Sequence, residues 1–461
     1  MHFCPAYPKP RKSKASSLLM FFSARRSWLD ALYERSYAMQ MGEVHLPGLD
    51  LYMVNDPALV RRVMDDEAEQ FPKSPLLGEA LQPLLGESIF TTNGAQWRRQ
   101  RDMMDPAFAQ ARLAVAFPVM QAATQAMLQR LAALPDGAEH DIEVEMTHVT
   151  ADIIFRTIFS VPMEGADARR IFEAFARFQA IAPRLLLPSI YGLRWLVWPW
   201  DVWHSRRAAR EIRGLLEKLI RPRFDAHQAG QPAAHSDILQ SFMEARDATS
   251  GQPFGFDELV DQVAMLFLAG HETSASALTW AAHLLANAPE VQERAHAEAL
   301  AQLGDRAPEV GDMKALALTR NVFRETLRLF PPVGFMARQS AGACTMRKKP
   351  VREGATVVVA PWLIQRHRGL WAEPDAFNPD RYQGDASRES LRQGYLPFGM
   401  GPRVCLGAAF ALQEATLILA SLLRRYRLAA VPGHVPRPVG RLTIRSANGV
   451  RLTLHRREGT A

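Results

Sequence analysis

The most informative stretch of this sequence is the run Phe398-Gly399-Met400-Gly401-Pro402-Arg403-Val404-Cys405-Leu406-Gly407. It places one cysteine among three glycines, and a strongly helical segment, Ala408 to Leu423, follows. The glycines allow sharp turns and a close approach of the backbone to a flat ligand. The positive end of the following helix favours the thiolate form of Cys405. A lone thiolate in an apolar pocket suits a haem iron; a structural cysteine in a glycine-rich turn is the alternative interpretation.

This run resembles the haem-binding signature of the cytochrome P-450 superfamily, in particular its soluble bacterial members. The resemblance implies a mainly α fold with a minor β part. In that fold, haem b lies between a helix with an acid–alcohol pair and the helix that follows the ligand cysteine. It also implies that Cys405 is the iron ligand. All the positions that the signature fixes are present, namely Phe398, Gly401, Arg403, Cys405 and Gly407.

A second motif, Ala269-Gly270-His271-Glu272-Thr273, lies within the apolar helical stretch Val263 to Leu285. A glycine weakens a helix, so we expect a local opening or kink there. A zinc motif beginning at His271-Glu272 is excluded, because its second histidine is replaced by Ala275. The motif resembles the family's oxygen-activating helix, which implies that Glu272 and Thr273 are the catalytic acid–alcohol pair. A polar patch on a buried helix is the alternative.

A third motif is Glu325-Thr326-Leu327-Arg328, which places an acid and a base one helical turn apart. Such pairs are common on solvated helix faces. Here Pro331-Pro332 follows, and Phe377 to Tyr382 lies further on, as in the family's buried Glu–Arg–Arg network. The resemblance therefore implies a structural network of Glu325, Arg328 and Arg381. Asp380 and Tyr382 depart from the glutamate and phenylalanine of many members.

The segment Trp97 to Arg101 places a tryptophan and an arginine on one face of a helix. A basic surface helix is the alternative interpretation, and Arg98 and Arg99 fit it. In the family a pair at this spacing holds a haem propionate, and a guanidinium suits a carboxylate. The cofactor-binding residues that the resemblance implies are Trp97, Arg101, Arg338, Phe398, Arg403 and Gly407.

Four of the nine tryptophans cluster at Trp195, Trp198, Trp200 and Trp203, where the family has the lid over its substrate channel. They indicate either core packing or a hydrophobic lid that meets a lipid surface. The residues expected by analogy of position to line the substrate pocket carry no charge, so a fatty acid, terpenoid or carotenoid substrate is implied. These residues are Met265, Leu268, Ala269, Val333, Phe335 and Leu442.

The composition excludes several classes of protein. With 48% hydrophobic residues the chain is not intrinsically disordered, and a net charge of +7 over 461 residues does not indicate a nucleic-acid binder. Three scattered cysteines provide no disulfide framework or zinc site, which favours a cytoplasmic location. No uninterrupted apolar stretch is long enough to span a membrane, although a peripheral membrane contact is compatible with the sequence.

We expect a single domain over residues 1–461, with an N-terminal extension and first helix over about 1–40 and no fused reductase. Strand-like alternation over 43–54 surrounds a Pro-Gly turn, and Asn55-Asp56-Pro57 begins a short helix. Thr356 to Ala360 is predicted to be a strand, and Gly230 to Pro253 a surface loop. Arg441 to Leu454 is predicted to be a hairpin around Asn448-Gly449.

The resemblance implies a haem-dependent monooxygenase that uses O2 as co-substrate. NAD(P)H would supply electrons indirectly, through a ferredoxin or flavodoxin-type donor with its own reductase. Arg403, Arg424 and Arg425 are candidates for docking this donor. A peroxide-driven or isomerising haem-thiolate enzyme and a non-catalytic haem-binding sensor remain as alternatives. A monomer is expected, without a nucleic-acid partner.

Overall fold

The computed structural model describes residues 2–12, 27–46, 49–163, 166–190 and 197–457. It is mainly helical, as the sequence predicts. The α-helices are α1 (Pro57–Arg61), α2 (Pro75–Leu85), α3 (Gly94–Met104), α4 (Gln110–Ala132), α5 (Ile142–Phe159), α6 (Ala166–Ile190), α7 (Pro199–Gln228), α8 (Ile238–Glu244), α9 (Phe256–Asn287), α10 (Pro289–Leu303), α11 (Ala317–Leu329), α12 (Pro361–Ile364), α13 (Arg388–Gly394) and α14 (Ala408–Arg425).

Helix α9 is the axis of the molecule and takes part in two hydrophobic cores. Its first half, Leu259 to Leu268, packs with α2, α5, α6 and α7. Its last three turns, Ala277 to Leu285, pack with α4, α10, α11 and α14. The polar segment His271 to Ser276 therefore lies where the two cores meet.

The helix is uninterrupted at Gly270, where we expected an opening. A Cβ atom at this position would lie 2.9 Å from Cγ1 of Ile154 on α5. The missing side chain therefore allows the two helices to approach closely, and the backbone stays helical because Gly270 is well packed.

The strands form small sheets. They are β1 (Met41–Leu46), β2 (Leu49–Val54), β3 (Glu139–Asp141), β4 (Met336–Gln339), β5 (Cys344–Met346), β6 (Lys349–Val351), β7 (Thr356–Val359), β8 (Tyr426–Ala430), β9 (Pro438–Gly440), β10 (Ile444–Ser446) and β11 (Arg451–Arg456). The largest sheet has the order β1-β2-β7-β4. It confirms the antiparallel pair over 43–54 and the strand at Thr356. The Pro-Gly turn lies outside the described residues.

The hairpin predicted over Arg441 to Leu454 is wrong. Gly449 does make a turn, with φ of +72°, but β10 pairs with β9, whereas β11 pairs with β8 and β3. Leu452 and Leu454 are buried in the core beside α14, so burial rather than turn chemistry selects the partner of β11.

The surface loop predicted over Gly230 to Pro253 is also wrong, because it contains α8. Asp237 caps this helix by accepting a hydrogen bond from the backbone N–H of Gln240 at 3.0 Å. Four apolar side chains at helical spacing are buried; they are Ile238, Leu239, Phe242 and Met243.

The N-terminal region differs from the expected extension with a first helix. The described part of residues 1–40 holds two 3-10 helices, Trp28–Ala31 and Glu34–Tyr37, and residues 13–26 lie outside the described ranges. Residues 2–12 pack on the body of the protein, where the Phe3 carbonyl accepts a hydrogen bond from the N–H of Phe377 at 2.8 Å. Among the described helices, none has both the length and the apolar character that crossing a membrane requires.

Candidate active site

The cysteine loop is held in one conformation by its glycines. Gly401 has φ of +68°, and a Cβ atom there would lie 2.2 Å from the Met64 carbonyl oxygen, so only glycine fits. The N–H of Cys405 donates to the Phe398 carbonyl at 2.9 Å. Gly407 is the N-cap of α14. The loop therefore places Cys405 directly before the positive end of this helix, as the sequence predicts.

Part of the Cys405 side chain is exposed to solvent, but protein atoms fill most of the space around the thiol, and this raises its pKa. Burial is the main cause, and it outweighs the backbone N–H of Gly407 and the charge of Arg101, which both lower the pKa. The positive end of α14 is therefore not sufficient by itself to lower the pKa of Cys405 and favour the thiolate. A bound metal cation ionises a coordinating thiol.

Arg101 supports this loop from α3. Its Nη1 donates to the Val404 carbonyl at 2.7 Å, and its Nε donates to Asp105 at 2.6 Å. These two hydrogen bonds already hold the guanidinium against the backbone next to Cys405. The structure thus gives Arg101 a contact with the cysteine loop that the sequence did not predict.

Two cations lie near the buried ring of Trp97, and a third lies close to both of them. Nζ of Lys73 and Cζ of Arg403 lie 5.9 and 5.2 Å from the ring centroid. Arg338 is also buried, and a β-bridge between the backbones of Arg338 and Lys73 brings the two residues together. Burial and the neighbouring positive charges lower the pKa of Arg338 to about 10 and that of Lys73 to about 7. Buried positive charges that lie this close to one another indicate a binding site for an anion.

The hydrogen bonds of these cations leave donors unused. Lys73 donates to the Ile89 carbonyl at 2.6 Å, and Arg403 to the Ala68 carbonyl at 2.7 Å. Among the described residues, the buried Nε atoms of Arg338 and Arg403 have no hydrogen-bond partner. Sequence reasoning missed Lys73. The feature that identifies Lys73 is its pairing with Arg338, and this pairing joins segments that are far apart in the sequence.

The predicted acid of the acid–alcohol pair is held by an ion pair. Glu272 accepts hydrogen bonds from Arg445 at 2.6 and 3.1 Å and from the Thr443 hydroxyl at 2.6 Å. Although burial raises its pKa, the charge and hydrogen bonds of Arg445 outweigh burial, and the pKa falls to about 2. Arg445 also binds Glu143 at 3.1 Å. Glu272 is therefore ionised and fixed at neutral pH.

The two residues on either side of Glu272 are bonded within α9. The Thr273 hydroxyl donates to the Ala269 carbonyl at 2.7 Å. Nδ1 of His271 lies 2.6 Å from the Phe267 carbonyl, and burial lowers the pKa of this imidazole. In the part of the chain that the structure describes, no cluster of three metal-ligating side chains occurs.

The structure brings Glu325, Arg328 and Arg381 together. Arg328 binds both carboxylate oxygens of Glu325 at 2.9 Å, and Nε of Arg381 lies 2.9 Å from Oε1. All three are buried. Tyr382 keeps its hydroxyl in the network by donating to Glu325 at 3.2 Å. Arg328 also binds the carbonyls of Gln365, Pro374 and Ala376 and so ties α11 to the loop that follows α12.

The expected pocket residues divide between two places. Met265 and Leu268 belong to the core on the first half of α9, and Ala269, Leu442 and Leu406 pack against it. Leu406 thus links this group to the cysteine loop. Val333 is half-buried. Phe335 instead packs on Trp28, with ring centroids 3.9 Å apart, against the other core.

Two surface predictions can also be compared with the structure. Trp198, Trp200 and Trp203 are 61%, 65% and 43% exposed at the start of α7, which excludes core packing for these three; Trp195 lies outside the described residues. The prediction that Arg424 docks an electron donor is wrong. Its side chain is buried and donates to the carbonyls of Gly304 and Arg306, which close the end of α10.

Comparison with known proteins decides the family. The family model described as Cytochrome P450 matches residues 30–449. The chain belongs to the cytochrome P450 family. It is 33% identical to cyclooctatin synthase of Streptomyces melanosporofaciens, over 86% of this chain and 84% of that protein. It is 30% identical to pentalenene oxygenase of Streptomyces avermitilis, over 87% of both chains. It is 29% identical to LUTEIN DEFICIENT 5 of Arabidopsis thaliana, over 88% and 70%.

Membership in the cytochrome P450 family implies haem and O2 and makes the chain a monooxygenase. The residues present fit such a cofactor. Haem carries two propionates, and the cluster of Lys73, Arg338 and Arg403 offers positive charge together with buried Nε donors of Arg338 and Arg403 that have no partner among the described residues. The single cysteine of a glycine-rich loop is the matching axial donor.

Proposed function

We propose that this cytochrome P450 is a haem monooxygenase that acts on a lipophilic substrate of the terpenoid class, with Cys405 as the axial ligand. The cation cluster around Trp97 carries the proposal, because its unpaired buried donors require an anion. The apolar residues on α9 support a lipophilic substrate, and the names of cyclooctatin synthase and pentalenene oxygenase favour a terpenoid.

The chain's own residues would prepare the site as follows. Lys73, Arg338 and Arg403 would bind the propionates, and burial strengthens each charge–charge contact. Arg101 would fix the loop that carries Cys405. When bound, the haem supplies the activation of O2 and the insertion of one oxygen atom into the substrate.

The polar turn of α9 would handle protons. The Thr273 hydroxyl would exchange its Ala269 carbonyl for an oxygen on the pocket side. Glu272 would act with it as the acid, but Arg445 must first release its carboxylate, since an ionised and paired Glu272 has no proton to give.

The axial assignment is tested by the carbon monoxide spectrum of the reduced protein. Cys405→His is expected to abolish the red-shifted band of thiolate haem, whereas the control Cys344→Ser retains it. A red-shifted band in Cys405→His would overturn the assignment.

Substrate and electron supply are tested together. We expect a terpenoid to shift the ferric spectrum from low to high spin. We also expect product with NAD(P)H only when a ferredoxin or flavodoxin and its reductase are added. Product with peroxide alone, and none with the reconstituted donors, would favour the peroxide-driven alternative. Failure to consume reduced cofactor with any ligand would favour a sensor.

A further inference from the structure

The first half of α9 carries a buried amide side chain, that of Gln262, with none of its surface exposed. Its Oε1 accepts a hydrogen bond from the backbone N–H of Ile89 at 3.0 Å. Among the described residues, no acceptor lies within hydrogen-bond distance of its Nε2. The amide cannot be reversed, because only its oxygen can accept from an N–H group. The NH2 group of Gln262 is therefore able to donate to a ligand.

Gln262 lies on the same face of α9 as the polar turn. Ala269 and Thr273 follow it about two and three helical turns later, so the three side chains leave the helix in nearly the same direction. Ala269 is one of the residues expected to line the substrate pocket, and Thr273 is the alcohol of the proposed acid–alcohol pair. Gln262 therefore continues the line of side chains that face the pocket, and it lies about 16 Å along the helix axis from Thr273.

The surroundings of this amide on α9 are apolar. Met265 and Leu266, one turn further along the helix, are buried in the core of its first half, and Ile89 packs against the same core. A buried donor that lacks an acceptor is costly, and proteins commonly pair such a group with water or a ligand. In a pocket that binds a lipophilic molecule, an oxygen atom of that molecule is the matching acceptor for Gln262.

We infer that Gln262 binds an oxygen atom that the substrate already carries, so that the substrate is an oxygenated terpenoid and not a terpene hydrocarbon. This inference rests on the proposed function and narrows its substrate class. The NH2 group only donates, so the substrate must present a hydroxyl, carbonyl or ether oxygen as acceptor. Because Gln262 is remote from Thr273 along α9, this oxygen lies at the opposite end of the substrate from the carbon that is oxidised. A reaction that installs the first oxygen must therefore precede this enzyme.

The preference for an oxygenated ligand is measured by spectral titration of the haem-loaded protein with pairs of terpenes that differ in one hydroxyl group. An acyclic pair is geranylgeraniol and the same chain without its hydroxyl, and a cyclic pair is cedrol and its parent hydrocarbon. We expect the native protein to bind the alcohol of a pair about tenfold more tightly, the scale of one hydrogen bond to a buried donor. Equal affinities for the alcohol and the hydrocarbon would overturn the inference.

The role of the amide itself is tested by Gln262→Met, which removes the donor and keeps a side chain of similar length. This variant should bind the alcohol about tenfold more weakly and the hydrocarbon no more weakly than the native protein does, so that the preference is lost. The matched control is Asp261→Asn, which alters a neighbouring contact with the same loop, where Asp261 accepts from the N–H of Glu87 at 2.8 Å. It should keep the native ratio of the two affinities.

Two results for these variants contradict the inference, namely a native ratio in Gln262→Met or a lost ratio in Asp261→Asn. Failure of the proposed function has a different signature. If no terpene of either pair shifts the ferric spectrum of the native protein, the terpenoid class is wrong, and the inference is wrong with it. If the hydrocarbons bind as tightly as the alcohols, the terpenoid class stands and only the role of Gln262 is wrong.

Discussion

Glu272 and Glu414 show how neighbouring groups decide the charge of a buried carboxyl. Both lie beside the turn Glu272 to Ser274, and burial alone would keep both protonated. Arg445 provides charge and two hydrogen bonds to Glu272, whereas Glu414 receives one hydroxyl hydrogen bond. The same residue type therefore has a pKa near 2 at one position and near 8 at the other.

Replacing Glu414 by glutamine should change how stability depends on pH. The folded protein holds this proton up to about pH 8, whereas the unfolded chain loses it near pH 4.5. Between these values the native free energy of unfolding falls by about 1.4 kcal/mol per pH unit from this group alone. Glutamine removes the fall, so denaturant unfolding should show Glu414→Gln gaining stability relative to the native protein from pH 5 to 8. Parallel pH curves would contradict this.

Removing Arg445, the partner of Glu272, should change the pH dependence of the free energy of unfolding in the opposite direction. Arg445→Gln leaves a buried carboxylate unpaired, and at neutral pH we expect a loss of about 3–5 kcal/mol in the free energy of unfolding. The depressed pKa of Glu272 contributes stability that is present above about pH 4.5 and lost as the pH falls towards 2. The gap between variant and native protein should therefore narrow in acid.

The matched control for Arg445 is Arg451→Gln, which breaks an exposed pair with Glu139. It should cost less than about 1 kcal/mol. Equal losses in the two variants, measured by denaturant unfolding, would show that the Glu272 ion pair contributes no more than a surface pair.

At the scale of elements, neighbouring residues in the sequence predicted those features that short-range hydrogen bonds and backbone geometry determine. Asp56 accepts hydrogen bonds from the N–H groups of Ala58 and Leu59, so the start of α1 could be read from Asn55-Asp56-Pro57. The position of Cys405 directly before α14 could likewise be predicted from neighbouring residues, whereas its role as an iron ligand comes from the resemblance and stays a prediction. Lys73 was not, because the bridge that brings it to Arg338 joins segments far apart in the sequence. The partner of β11 is set by the burial of Leu452 and Leu454, which a turn motif does not encode.

The contact between α5 and α9 allows a test of close packing. Gly270→Ala gains about 1 kcal/mol in helix propensity but forces its new methyl group against Ile154. Since overpacking costs about 1–3 kcal/mol, we expect net destabilisation in denaturant unfolding. In the double variant Gly270→Ala/Ile154→Ala the loss should be smaller than the sum by about 1 kcal/mol. As a control, Ile158→Ala from the same core should lose the same stability with and without Gly270→Ala. If the losses of Gly270→Ala and Ile154→Ala are also fully additive, the methyl group at position 270 does not clash with Ile154.

At the scale of the whole molecule, the sequence predicted a mainly helical fold of the cytochrome P450 family, and this is confirmed. The single domain over residues 1–461 stays a prediction. The identity of the electron donor, the monomeric state and the cytoplasmic location stay predictions. These properties depend on the residues exposed at the protein surface, and a short sequence motif does not show which residues are exposed. Arg424 illustrates this, because a basic pair at a helix end indicated docking while the fold uses that arginine to bind carbonyls.

The tryptophans at the start of α7 predict a peripheral membrane contact. Trp198, Trp200 and Trp203 are exposed next to Arg206 and Arg207, which is typical of a surface that meets anionic lipid. Replacing the three tryptophans by alanine should weaken co-sedimentation with vesicles of anionic phospholipid about tenfold or more, and salt should weaken binding of the native protein. Equal sedimentation of the two proteins would exclude this contact.

The buried cation cluster of Lys73, Arg338 and Arg403 links the amount of this enzyme to the supply of its prosthetic group. Before haem arrives, Lys73, Arg338 and Arg403 repel one another in a buried place, which lowers the stability of the folded chain. A ligand that binds only the folded state stabilises it by mass action. Cells short of haem should therefore degrade newly made chains faster, so that abundance follows cofactor synthesis without a dedicated regulator.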